Sequence, residues 1–594
     1  MAETLVSPGV LASEIDTSFV TQGPIQAGAA IIGPTVKGPV EIPTLVTSWS
    51  DYQNKFGTTF VSGGNVYTYF TSITAYNYFN NGGNTLLVSR VVSGNYSSAT
   101  SSFTNNDSPS YTYGAFATGS VNTSSFNEFV VGVGEARITG SDGSLYRFIA
   151  KGASGPEDDI DGKLYYFVSA STIETTLNNL GTAMVAAGVT ASVSGQNFVI
   201  SGSASGSALN GSRFATGSGT TFTTSITLGG GINTINNGGT GVAFILSTLA
   251  EGADQNSSGS VDAAGVLANG SADNIRWQIT NVDTSSGYFN LIIRRGDDNT
   301  NNQVVLEQWN QLSLDPFDSN FISKILGDQS QQLMTNDGTY LQTTGNYPGA
   351  SRYVRVSTLN STTPKYTDSN GTITNASYTA SLPVVGAGTF GGAEGSVKAG
   401  TNFYNSIDNN NTQGLVADNY DNMIALLANK DDYQYNVILT PGLCNNFASH
   451  VDKINDIISN CQDRGDAIYV TDLVGYGQTT AIVVSNAQNK NTSYAASYWP
   501  WVQVQDPNAG QNVWVPASSV IAGVYAYNDS VSEPWFAPAG INRGGLSQVI
   551  RAERQLPQAT RDTLYQGKVN PIATFPGTGV VVYGQKTLQT RASA

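Results

Sequence analysis

Three places in the chain carry residue types that could do chemistry. Cys444, His450 and Asp452 bring a thiol, an imidazole and a carboxylate into one short stretch, the set that a nucleophilic centre uses. His450 is the sole histidine. The helix expected after Pro441-Gly442 sets Cys444 and His450 more than a turn apart, so neither aims at the other and no catalytic role is assigned. Gly579 to Thr587, GVVVYGQKT, comes close to a phosphate-binding loop. That loop needs its lysine directly after the second glycine, whereas Gln585 stands between Gly584 and Lys586. Val580 to Tyr583 also reads as a strand, which would occupy the N–H groups that a phosphate needs. Asp297, Asn299 and Asn301 are spaced like the start of a calcium loop, but Asn302 and Gln308 stand where glycine and a bidentate glutamate are required. That segment reads as a hairpin tip. No catalytic, cofactor-binding or metal-ligating residue is predicted, and no cofactor.

The composition narrows the class of partner. The formal net charge is −16 over 594 residues, and only 12% of residues are charged. Nucleic-acid binding needs a basic face, so nucleic acid is set aside. With 65 glycines and abundant Ser, Thr and Asn, much of the surface must be neutral and polar, as in packed assemblies or secreted folds. Cys444 and Cys461 are too few for a disulfide framework or a paired-cysteine zinc site, and read as buried thiols. The chain opens without a basic, then apolar, leader. It also lacks an apolar run of the roughly 18 residues that a membrane span needs. The expectation is a soluble protein made in the cytoplasm, without membrane insertion.

The elements that position these residues follow from periodicity and punctuation. Ala27 to Gly33 and Ile42 to Val46 read as strands, and Ser48 to Phe56 as a helix stopped by Gly57. A longer helix is expected from about Val66, with Val66, Phe70, Ile73 and Phe79 near one face, then a strand over Thr85 to Val92. From Asn95 to Gly270 the composition shifts to Ser, Thr, Gly and Asn. Short strand-like runs recur there at Phe129 to Val133, Leu164 to Val168 and Phe198 to Ser201, around one amphipathic helix with Ile173, Leu177, Leu180 and Met184 on a face. Core features return at Ile275, with a strand expected near Phe289 to Arg294. Val437 to Leu439, a helix carrying Phe447, Val451, Ile454 and Ile458, and Ala467 to Val470 form a strand–helix–strand unit, which implies a parallel crossover. Near the end, a helix is expected over Leu546 to Gln555 and a second after Pro557 with Gly567 as its left-handed cap. Two strands, Asn570 to Phe575 and Gly579 to Tyr583, follow around Pro576-Gly577-Thr578.

The predicted fold is an α/β core with a mixed, partly parallel sheet, an inserted β-rich (α+β) domain and an extended N-terminal arm. By composition the arm covers 1–21, core segments 22–94, 271–345 and 414–594, the insertion 95–270, and a glycine-rich excursion 346–413. Leu5, Val6, Ser7, Pro8, Gly9 and Val10 have no hairpin partner nearby, so they read as a strand donated to another subunit's sheet.

Several runs together resemble the contractile tail sheath family of bacteriophages and related injection machines. They are Ser7-Pro8-Gly9-Val10, Phe79-Asn80-Asn81-Gly82-Gly83, Trp309 to Asp315, Ala537-Pro538-Ala539-Gly540, Gly544-Gly545, Lys568-Val569-Asn570-Pro571-Ile572 and Gly584-Gln585-Lys586-Thr587-Leu588. The resemblance implies a structural subunit: a homo-oligomer built as a helical sheath of stacked rings around a tail tube protein. Baseplate and tail terminator proteins would be its further partners, and the virion tail, assembled in the host cytoplasm, its location. It implies that contraction drives the tube through the host envelope without nucleotide, and that the inserted domain lies outside. Family members usually continue into a C-terminal linking segment, whereas this sequence stops at Ala594, so that either the sequence is a fragment or the linking arm is missing. Two other classes are weighed: a glycan- or surface-binding virion module, for which Phe214 and Phe222 are too few exposed aromatics, and a nucleotide-driven motor, which would need the phosphate loop above.

Overall fold

A run such as Ala29-Ala30-Ile31-Ile32 has no polar side chain to turn toward water, so the strand it forms must be covered on both faces. The computed structural model of the chain describes residues 25–106, 118–151, 163–203, 209–217, 225–229, 241–360, 362–363, 365–368, 372–374, 376–400, 402–533 and 535–590. The chain divides into two compact units. One comprises Met1–Tyr96, Gln331–Gln342 and Ser396–Ala594, and the other Ser97–Ser330 and Thr343–Gly395. The proposed arm, Leu5 to Val10, lies outside the described residues.

In the first unit, the elements that matter are, in order, β1 (Ile25–Gly33), β2 (Thr44–Val46), α1 (Trp49–Phe56), α2 (Phe70–Asn80), β3 (Leu86–Arg90), α3 (Asp421–Leu427), β4 (Tyr433–Cys444) and α4 (Ala448–Arg464). They continue with β5 (Ile468–Asp472), α5 (Thr480–Gln488), β6 (Ala495–Trp499), α6 (Ser518–Val531), α7 (Gln558–Gln566), β7 (Asn570–Phe575) and β8 (Gly579–Val582). Eight strands form one sheet in the order β2-β3-β1-β4-β5-β6-β7-β8. From β3 to β7 every neighbouring pair is parallel, and the two edge strands, β2 and β8, run antiparallel. Ala29 and Ile31 face a core with α1, α2 and α6, whereas Ala30 and Ile32 face a second core with α3, α4, α5 and α7. The sheet is thus sandwiched between two helical layers, and its interior strands are apolar on both sides.

Local signals set most boundaries. Ser48 caps α1 by accepting the Asp51 N–H at 3.1 Å, and Gly465 closes α4 in the left-handed region at φ 75°. Three expectations fail here. Asn65–Thr68 is not helical but pairs antiparallel with Thr59–Ser62 across Gly63-Gly64, whose positive φ suits a tight hairpin turn, so the helix starts only at Phe70. Val549–Ala552, expected in a helix, is a strand against Val502–Asp506. Gly567 keeps an ordinary φ of −78°, and the left-handed residue is Lys568 at φ 68°. Gly567 serves packing instead, since a Cβ there would come within 2.8 Å of Val484 on α5.

The second unit is built around two cores from sheets that are antiparallel except for one parallel pair, Leu145–Lys151 with Leu164–Val168. Ser98–Thr104, Val242–Glu251 and Val354–Leu359 form one sheet; Val305–Ser313, Tyr288–Arg295, Ile275–Asp283 and Gly386–Thr389 form another, and together they bury Phe103, Phe244, Phe289 and Phe390. Around Phe126, Phe148, Leu177 and Phe198, five- and three-stranded sheets pack with the helix Ile173–Met184, whose Thr172 cap accepts the Thr175 N–H at 3.2 Å. Phe129 lies in a short helix, Asn127–Val130, and not in the strand expected there.

Candidate assembly surface

The residues that could have done chemistry are occupied otherwise. Strand β4 runs on through Pro441-Gly442 to Cys444, so the expected turn is deferred, and His450 lies in the first turn of α4. The Nδ1 of His450 accepts the backbone N–H of Cys444 at 3.0 Å, which fixes that nitrogen as an unprotonated acceptor. Burial holds the imidazole at a pKa of about 4, against a smaller opposing pull from Asp408. Burial also pushes the Cys444 thiol well above its ordinary value, and Cys461 up to about 12. Neither sulfur offers a thiolate, and both cysteines are free and buried.

The phosphate-loop look-alike is a strand and its exit. Gly579–Val582 pairs with β7, and the Lys586 ammonium sits 3.8 Å from the Tyr565 ring centroid while donating to the Tyr565 carbonyl at 3.1 Å. In the would-be calcium loop, Asn299 Oδ1 accepts the N–H groups of Asn301 and Asn302, and Asp297 pairs with Arg295. Between them, the buried carboxylate of Asp298 takes Arg294 at 2.7 and 2.9 Å and Arg276 at 3.1 Å. Two guanidinium groups sit where a cation would. Among the described residues, no group of three His, Cys, Asp or Glu could hold a metal, and no helix is long and apolar enough to cross a membrane.

The stretch from Ala537 to Leu588 has a structural task. Gly540 donates its N–H to the Val582 carbonyl at 2.8 Å, Val582 donates to the Gly544 carbonyl at 2.7 Å, and Leu546 donates to the Val580 carbonyl at 2.9 Å. The loop thereby closes the outer edge of β8. A Cβ on Gly544 would lie 2.5 Å from the Val582 carbonyl oxygen, so the contact requires glycine. Buried Asn570 is a clamp: its Nδ2 donates to the carbonyls of Ser497 and Lys586, and its Oδ1 accepts the Lys586 N–H at 2.7 Å. At the opposite edge, Lys55 Nζ donates to the Leu45 carbonyl of β2 at 2.9 Å.

Beside the loop that closes β8 lies a group of exposed apolar side chains. Tyr527, Val531, Trp535, Phe536 and Ile541 are exposed along the last turns of α6 and the loop that follows, with Trp535 at 79%. A set of large apolar side chains so exposed marks an interaction surface. Sequence reading missed it because Tyr527 and Val531 stand beside Asn528, Asp529 and Ser530 in the last turns of α6, and only the fold shows that they are bare. Phe214 is wholly buried, and Phe222 lies outside the described residues.

Comparison with known proteins places these features. Residues 417–588, which span the sheet from β4 to β8, match the phage tail sheath protein central domain. The tail sheath protein of Vibrio phage KVP40 is 42% identical over 120 residues, 20% of this chain and 18% of that protein. That of Enterobacteria phage T4 is 38% identical over 118 residues, with the same coverage of 20% and 18%. Each match thus spans under a fifth of the curated relative's length. A crystal structure of a sheath tail protein from Listeria innocua aligns over 96% of this chain and 70% of its own, at 9% identity and a TM-score of 0.41.

Proposed function

We propose, from the phage tail sheath central domain that the chain carries over residues 417–588, that it is a structural subunit of a contractile tail sheath. Many copies polymerise helically around a tail tube, bounded by baseplate and tail terminator proteins. Collapse of the array drives the tube through the host envelope. The observation that carries this reading is the coincidence of the matched region with β4 to β8. The motif residues there seal an edge and clamp strands, which is work for an assembled scaffold and not for a reaction. The chain is not an enzyme on this reading, and contraction draws on free energy stored at assembly without consuming nucleotide. Its location is the virion tail, after synthesis and assembly in the host cytoplasm, with residues 95–270 facing solvent.

The N-terminal arm is the proposed link between copies. A strand as short as Val6 to Val10 offers about half a dozen hydrogen bonds at roughly 1 kcal/mol each, which does not clearly exceed the roughly 4–15 kcal/mol cost of association. Arms joined to several neighbours act at high effective concentration, so the link forms only in a growing array. The β8 edge of the eight-stranded sheet is sealed by its own loop, which directs the arm to another edge. Removing Met1 to Asp16 should leave a folded monomer of unchanged melting temperature that no longer polymerises on a tube. Normal sheaths from the truncated chain, or a collapse of its folding stability, would defeat the arm.

A further inference from the structure

The exposed apolar side chains at the end of α6 form one patch. Asn528 Nδ2, in the last turn of the helix, donates to the Phe536 carbonyl at 3.1 Å and so folds the following turn back on α6. The Arg543 guanidinium lies 4.4 Å from the Phe536 ring centroid, which ties in the segment that carries Ile541. Tyr527, Val531, Trp535, Phe536 and Ile541 are each at least 42% exposed. Large apolar side chains gathered in this way call for a cover.

The fold puts the patch beside the point where the chain enters the sheet. Asp472, at the carboxyl end of β5, accepts the N–H and the hydroxyl of Ser518, so α6 starts at the carboxyl edge of the sheet. Its 14 residues, about 21 Å of helix, run back to the amino edge. There the last turn meets the loop that follows α2, where a Cβ on Gly82 would lie 3.3 Å from the Ser530 hydroxyl. That loop leads into β3 and also holds the start of β1. The Thr85 carbonyl accepts the Gly28 N–H at 3.1 Å and the Tyr78 hydroxyl at 3.0 Å. A Cβ on Gly28 would come within 2.5 Å of that hydroxyl. The chain before Ile25 is therefore delivered at the amino edge, next to the end of α6.

Immediately upstream stands Thr17-Ser18-Phe19-Val20-Thr21-Gln22-Gly23-Pro24, which has no charged residue and two adjacent large apolar side chains. Gly23-Pro24 suits a change of direction. Phe19 stands six residues before Ile25, a reach of up to about 20 Å. We propose that Thr17 to Pro24 folds back over the patch of its own chain, with Phe19 and Val20 as its apolar anchors. A segment tethered this closely acts at high effective concentration, so a small apolar contact holds it. A second copy is the poorer occupant, because five side chains fall far short of the roughly 20–30 residues that each side of a stable interface supplies. The anchor lies after Asp16, so it leaves Met1 to Asp16 to reach elsewhere and sets the point from which they depart. It stands whether or not the chain forms a sheath.

The test is hydroxyl-radical footprinting of the full chain, read by mass spectrometry at Trp535 and Phe536, in solution dilute enough for light scattering to show single chains. Trp535 should be oxidised about fivefold more slowly than in a variant carrying Phe19→Asp and Val20→Asp together, in which both anchors lose their apolar character. Removing Met1 to Asp16 should leave the protection unchanged. The reciprocal variant, Trp535→Ser, changes an exposed residue and should speed chymotryptic cleavage after Phe19 about tenfold, since cleavage follows the population of the released segment. It checks the contact from its other side even where the double variant folds poorly. Equal oxidation of Trp535 in the natural chain and the double variant, with cleavage after Phe19 unchanged by Trp535→Ser, overturns the anchor. Protection that fades on further dilution assigns the cover to a second copy and overturns it too. Neither readout needs a sheath, so a chain that never coats tubes would defeat the sheath reading and leave this one to be decided by the footprint.

Discussion

The two units neutralise two deeply buried carboxylates, Asp298 and Asp472, in different ways. In the unit of Ser97–Ser330 and Thr343–Gly395, Asp298 is paired with two buried guanidinium groups, Arg276 and Arg294, and buried Glu135 with the partly exposed Arg137 and Arg147. In the unit that carries the eight-stranded sheet, the buried carboxylate of Asp472 has only neutral partners. Asp472, at the carboxyl end of β5, accepts the N–H and the hydroxyl of Ser518 at the start of α6, at 3.1 and 2.5 Å. Burial raises its pKa to about 7, because no cation among the described residues offsets the lost hydration. The lesson is that Asp298 makes its unit sensitive to losing one member of the cluster, whereas Asp472 makes its unit sensitive to proton release.

The sharpest way to break the contrast is Asp298→Ala. It strands two buried guanidinium groups, and should destabilise the Ser97–Gly395 unit by about 3–5 kcal/mol while leaving the other unit's unfolding unchanged. Denaturant unfolding followed by differential scanning calorimetry and protease mapping separates the two. Replacing Asp298, Arg276 and Arg294 together by apolar residues should recover most of the loss, since the cost lies in the unpaired charge.

Asp472→Asn tests the other half. The folded pKa of Asp472 lies above its unfolded value, so the folded state holds the extra proton, and stability from this group is lost as pH rises from about 4 through about 7. His450 works in reverse, because its folded pKa of about 4 lies below the unfolded value and stability is lost as pH falls through the same range. The natural chain's own pH profile is therefore flattened. Subtracting it from that of the Asn variant cancels His450, and the variant should gain a few kcal/mol relative to the natural chain between pH 4 and pH 8. A difference independent of pH would show that Asp472 is ionised throughout.

Gly544→Ala is the smallest of the three. The added Cβ pushes on the Val582 carbonyl and should cost about 1–3 kcal/mol, with loosened protection of the β8 amides in hydrogen exchange. Unchanged exchange at Val580 and Val582 would mean that the loop does not seal the edge.

How much of this was legible follows from the range of the interactions. The crossover from Val437 through α4 to β5 could be read because apolar spacing and the Gly465 stop are local. The hairpin at Asn65–Thr68 was hidden because Val66, Phe70 and Ile73 mimic helical spacing, while the Gly63-Gly64 signal lay just outside the window. The Lys568-Val569-Asn570-Pro571-Ile572 run could be noticed in sequence, but not that Asn570 ties Ser497 to Lys586, which are distant along the chain. The pairing of Asp298 with Arg276 and the bare side of α6 were likewise invisible, since each is decided by which elements the fold brings together.

The central claim is that the matched region belongs to a subunit that assembles and does no catalysis. Purified full-length chain should be mixed with preformed tail tubes and imaged by negative-stain electron microscopy in the absence of nucleotide. The account predicts ordered, helically striated sheaths that coat the tubes and later shorten on mild destabilisation. Bare tubes beside monomeric protein across pH and salt, or coats that appear only when ATP is added, would contradict it.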